Sequence, residues 1–172
     1  MFDTRSILAG VAALFMMSGA ISQTQERSIV RHPVANSSVP VSAAVEVPAS
    51  ASLVYLSGKL PPLKDASQPL DSPLAYGGDT KGQTIAVLAA IESALSDLGL
   101  TLGDVVKVQV FLVGDPALGN KMDMKGFTEG YAMFFGTPSQ PELPARTLMQ
   151  VAGLANKAFL VEVDVIAVRR SQ

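Results

Sequence analysis

Alternation of apolar and polar positions is densest between Pro144 and Arg170. Residues 144–152 read Pro-Ala-Arg-Thr-Leu-Met-Gln-Val-Ala, and residues 158–170 alternate strictly around Glu162 and Asp164, the period of two that marks strands. The break between them, Gly153-Leu-Ala-Asn-Lys157, suits a hairpin turn. Pairing Ala152 with Ala158 sets Leu148 opposite Glu162, with Arg146 one diagonal step away on the same face. A guanidinium and a carboxylate would then flank one side of a sheet. Register decides this arrangement, because a slip of one residue sends Glu162 to the other face.

Upstream, Val41, Ala43, Val45 and Val47 alternate with Ser42, Ala44 and Glu46, and Leu53–Gly58 reads as a second strand that stops at glycine. Leu60–Gly78 contains Pro61, Pro62, Pro69 and Pro73 and ends in a glycine pair, so it is loop. Asp79 and Thr80 can cap a helix in which Ile85, Leu88, Ile91, Leu95 and Leu98 recur at helical spacing before Gly99. Val105–Val113 is a strongly β-prone run. A second helix is predicted over 122–135, with Met122, Phe127, Tyr131, Phe134 and Phe135 as its core face. The order ββ-α-β-α-ββ, with no repeat or linker, predicts one α+β domain with helices on one face of a mixed sheet.

The N-terminal residues follow a different pattern. Arg5 precedes the apolar run Ser6–Met17, too short for a comfortable membrane span, and Ala20-Ile21-Ser22 resembles a signal-peptidase site. Residues 1–22 are therefore expected to be a signal peptide. Cleavage would leave no stable membrane insertion and a periplasmic or secreted product. Residues 23–38 are polar and mixed and are expected to form a flexible arm, with His32 a solvated side chain. The folded domain is expected over 39–172.

Composition narrows the chemistry. The chain has 172 residues and a formal net charge of −2, with no basic cluster, which argues against nucleic acid as a main partner. With no cysteine there is no thiolate nucleophile or disulfide framework, and with one histidine there is no multi-His metal centre. Any catalysis must come from carboxylates, arginine, hydroxyls and backbone, with neither metal nor organic cofactor expected.

Five stretches in order carry a resemblance: Leu56-Ser57-Gly58; Leu98-Gly99-Leu100 through Gly103–Lys107; Tyr131-Ala-Met-Phe-Phe135; Pro144-Ala145-Arg146; and Val161-Glu162-Val-Asp-Val-Ile-Ala167. Together they resemble the Rid family of reactive-intermediate deaminases, also called YjgF, over roughly residues 39–170. The resemblance implies a chorismate-mutase-like α+β domain assembled as a homotrimer, with sites in the clefts between subunits. It implies a hydrolase acting on C=N bonds, which converts 2-imino acids, tautomers of enamines, to 2-keto acids and ammonia. On this likeness Arg146 holds the substrate carboxylate, Glu162 positions the attacking water, and Ser57 and Gly58 line the cleft.

Three departures from the commonest deaminase pattern stand out. Leu148 replaces a cysteine two residues after the arginine, Val41 replaces a tyrosine after Pro40, and the loop after residue 152 is about one residue longer. The first two make the pocket more apolar. Two functions are thus open: an exported imine deaminase, or a non-catalytic trimer that binds small carboxylates or partner proteins at the same cleft. Ribonuclease activity is poorly supported by a mildly acidic chain without a histidine pair.

Overall fold

The computed structural model describes residues 28–170. The expected signal peptide, residues 1–22, lies outside them, as do the first residues of the expected arm. Strands β1 (Val30–Pro33), β2 (Ser42–Glu46), β3 (Ser52–Lys59), β4 (Val105–Val113), β5 (Ala145–Val151) and β6 (Val161–Arg169) form one mixed sheet in the order β1-β2-β5-β4-β6-β3. Helices α1 (Thr80–Asp97) and α2 (Met124–Tyr131) pack on one face of it. This is the α+β arrangement the alternation predicts.

The core is the layer between that face and the helices. Val108, Val110 and Leu112 of β4 and Val161, Val163 and Val165 of β6 meet Leu88, Ile91 and Leu95 of α1 and Phe127 and Tyr131 of α2. Burying each large apolar side chain stabilises the fold by roughly 1.5–3 kcal/mol. Helix α1 starts where the Asp79 carboxylate accepts the Gly82 amide at 2.8 Å. Glycine lets α2 lie close against it, since a Cβ at Gly130 would sit 2.9 Å from Thr84 Cβ and 3.0 Å from the Lys81 carbonyl. Helix α2 ends at Tyr131, short of the expected residue 135, and the chain turns tightly with the Phe134 and Phe135 amides both donating to the Tyr131 carbonyl.

Two expectations are corrected. The flexible arm expected over 23–38 holds β1, which pairs antiparallel with β2 through Val30↔Glu46, Arg31↔Val45 and His32↔Ala44. Its stability comes from backbone pairing and from the Arg31 guanidinium rather than from apolar burial. His32 is exposed, as expected, although its Nε2 lies 2.8 Å from Glu46 Oε1.

The second correction concerns the C-terminal hairpin. β5 and β6 do not pair with each other, because β4 lies between them, parallel to β5 and antiparallel to β6. β4 is the most β-prone run in the chain and has unpaired backbone groups on both edges, and the two C-terminal strands satisfy one edge each. The connection over 152–160 passes the end of β4 and is pinned there by a buried glutamine. Gln83 donates to the Ala158 carbonyl at 2.8 Å and accepts the Leu160 amide at 2.7 Å.

Candidate active site

Strand parity places Arg146. It is paired with Val108, whose side chain is fully buried on the helix-covered face. Its guanidinium carbon lies 4.5 Å from the ring centroid of Tyr131 and 5.2 Å from that of Phe127, cation–π contacts that hold the planar group against α2. The two rings come one helical turn apart on α2, at Phe127 and Tyr131, and Phe135 stacks on Tyr131 at 4.8 Å. Arg146 Nη1 and the Tyr131 hydroxyl are both buried without a well-aligned hydrogen bond among the described residues, although each of the two side chains partly offsets the burial of the other. Burial draws the guanidinium below its ordinary range and Tyr131 partly opposes this, with no carboxylate contributing. The same burial pushes the Tyr131 hydroxyl above its ordinary range, against the nearby charges of Arg146 and Arg31. Leu148, two residues on, packs against the core on the same face.

Glu162 stands elsewhere. It is paired with Phe111, one residue out of phase with Val108, and so faces the open side of the sheet. The expected sharing of one face by Arg146 and Glu162 therefore does not hold within one chain. The hairpin that would have aligned them is interrupted by β4. Glu162 is joined by Gly58, however. The β3–β6 register breaks between Leu56 and Lys59, and a side chain at Gly58 would collide with Glu162 Oε1, so glycine is what gives the carboxylate room. Ser57, exposed beside it, completes this cluster. Farther along the same face, Asp164 is paired with Gln109, and Lys107 donates to Thr147 at 2.6 Å. Among the described residues no three His, Cys, Asp or Glu side chains converge.

Three participants escape a reading of the sequence. Tyr131 and Phe127 read as core, and their i, i+4 spacing shows that they share a face without showing that a cation lies on it. Arg31, in what reads as a polar arm, donates through Nη1 to the carbonyls of Val105 at 2.9 Å and Leu143 at 2.8 Å, and through Nη2 to that of Gly103 at 2.7 Å.

The profile of the Endoribonuclease L-PSP family, the YjgF/Rid group, matches residues 34–169, which span both halves of this geometry. The chain belongs to the YjgF/Rid family. It is 30% identical over 128 residues to a RutC family protein of Pyrococcus abyssi, covering 74% of this chain and 85% of that one. Against a RutC family protein of Pyrococcus horikoshii it is 37% identical over 90 residues, covering 52% of this chain and 63% of that one. The fold is that of a Rid-family protein of unknown function from Yersinia pestis, with a TM-score of 0.60 at 24% identity over 83% of this chain and 98% of the other. A yeast protein gives a TM-score of 0.51 at 27% identity, over 84% and 98%. In this YjgF/Rid chain Arg146 and Glu162 lie on opposite faces of its own sheet.

Proposed function

We propose that this protein is an exported hydrolase that deaminates 2-imino acids, working as a homotrimer whose sites each combine Arg146 of one copy with Glu162, Ser57 and Gly58 of the next. The observation that carries this reading is the Arg146 guanidinium. It is half-buried on two aromatic rings with one nitrogen lacking a well-aligned partner, and among the described residues no carboxylate offsets the charge. A cation so placed is a receptor for a small carboxylate, and a planar fork binds one bidentately. A site that also needs a general base must recruit it from a second copy, since Glu162 lies across the sheet. The open face supplies a surface for that contact, with Leu53, Tyr55 and Met149 exposed on it.

The chemistry asks little of the chain. With the substrate carboxylate on Arg146, water attacks C2 of the imine while Glu162 accepts a proton from it and returns that proton to nitrogen. The C–N bond of the resulting carbinolamine then breaks as its hydroxyl proton passes, through Glu162, to the departing nitrogen, releasing ammonia and leaving the 2-keto acid. Export rests on the apolar run over residues 6–17 and the small residues that follow.

Mixing two inactive proteins tests the shared site. Arg146→Ala and Glu162→Gln, each inactive alone, are co-refolded in equal amounts and assayed against freshly generated 2-iminobutanoate. Sites drawn from two copies recover about a quarter of wild-type activity, the chance that an intact arginine meets an intact glutamate at a cyclic interface. No recovery overturns the shared site. A wild type that binds 2-oxobutanoate without speeding imine hydrolysis above buffer replaces the enzyme with a binding protein.

A further inference from the structure

We infer that Arg31 of β1 is a positioning residue for Arg146, an inference whose catalytic meaning rests on the reading of Arg146 just given. Arg31 grips the start of two strands at once: Gly103 and Val105 at the entry to β4, and Leu143 three residues before Arg146. The Leu143 carbonyl also accepts Ser42 Oγ at 2.6 Å, and the Ser42 amide donates to the Pro144 carbonyl at 2.9 Å. This clasp matters because β2 and β5 share a single ladder pair, Ser42↔Ala145. On that edge the entry to β5 is held by side chains of β1 and β2 in place of a long ladder.

The clasp is geometric. Arg31 meets three carbonyls in a fork and has no salt bridge among the described residues, with Glu142 and Asp104 acting only at longer range. A lysine keeps the charge but presents one nitrogen, and cannot span Gly103, Val105 and Leu143 together. Both Arg31 and Arg146 also act electrostatically on Tyr131. Glu162, on β6 and the opposite face, lies outside this chain of contacts. Loosening Arg31 therefore shifts the carboxylate anchor and spares the base.

The test is Arg31→Lys in the mature, assembled protein, read against Arg169→Ala. The latter removes one carbonyl cap, Arg169 Nη2 to Leu98 at 2.7 Å, at another part of the domain. The expected result is a folded Arg31→Lys protein whose KM for 2-iminobutanoate and Kd for 2-oxobutanoate each rise about tenfold, with kcat changed less than about threefold, while Arg169→Ala moves neither constant. Wild-type KM and Kd in Arg31→Lys, a loss confined to kcat, or an equal effect in Arg169→Ala overturns the inference. If Arg31→Lys does not fold, Ser42→Ala removes the second donor to Leu143 and carries the same expectation. A wild type that neither binds 2-oxobutanoate nor hydrolyses imines defeats the proposed function, and the positioning role is then decided by modification with phenylglyoxal, mapped by mass spectrometry. A severalfold change in the rate at Arg146, with Arg169 unchanged, upholds it, and an unchanged rate at Arg146 overturns it.

Discussion

On its helix-covered face the sheet presents Val108, Val110, Leu112, Val161, Val163 and Val165, all shut from solvent, and a cation, Arg146, laid on aromatic rings. On its open face the same strands present Lys107, Gln109, Thr147, Glu162 and Asp164, interleaved with Phe111, Ile166 and a Tyr55 that is 70% exposed. The first face is closed within the chain, and its side chains serve stability. The second is neither plainly solvated nor plainly core, which is the composition of a surface that meets another protein. Arg146 is the exception that joins them: a charged group on the stabilising face, received there by rings rather than acids.

Substitutions of similar size on the two faces should have different consequences. Phe127→Ala, on the closed face, is expected to destabilise the protein by about 3–5 kcal/mol, enough to unfold many domains, as read by chemical denaturation. A loss below about 1 kcal/mol would mean that the ring under Arg146 is not core. Glu162→Gln, on the open face, should leave the melting temperature unchanged and lower kcat for imine hydrolysis about a hundredfold or more. Full activity in that variant removes the base from Glu162. Tyr55→Asp sharpens the contrast, because its exposed ring contributes little to one chain yet sits on the surface assigned to assembly. Light scattering is expected to show a folded monomer, and an intact trimer would move the interface elsewhere.

The smallest effect concerns Asp164. Partial burial raises its carboxyl above the ordinary range, with Lys107 opposing. A carboxyl whose folded pKa is raised stabilises the fold while protonated, and that contribution is lost as pH rises through the folded value. Asp164→Asn should therefore stabilise the protein at pH 7, by less than about 1 kcal/mol for so exposed a group, with the gain vanishing below about pH 4. Thermal melts at the two pH values check the sign, and a loss at pH 7 would show Asp164 engaged in a favourable pair on the open face.

The sequence is most informative where a strand is polar on one side only. In β6, Glu162 and Asp164 against Val161, Val163 and Val165 state which side is buried, and the structure agrees. In β5 both sides are mixed: Arg146, Leu148 and Gln150 on one, Thr147, Met149 and Val151 on the other. Nothing in that alternation tells which side meets the helices, so the relation of Arg146 to Glu162 was not legible. The insertion of β4 between them was hidden for a related reason, since a hairpin and a pair split by a third strand need the same periodicity. Strand β1 lacks an apolar stripe altogether, and what secures it, three carbonyls found by Arg31, is long-range geometry that no local pattern encodes.

The place of β6 in the sheet also sets when folding can finish. β6 is the last strand in the chain, yet it lies between β3 and β4, and it is the neighbour through which β3 joins the sheet. A growing chain can pair β4 with β5 as soon as β5 emerges, but β3, made about a hundred residues earlier than β6, has no ladder until the first residues of β6 arrive. The sheet is therefore closed by β6, the last of the described strands to be made, and a chain cut short before Val161 leaves β3 without a ladder partner.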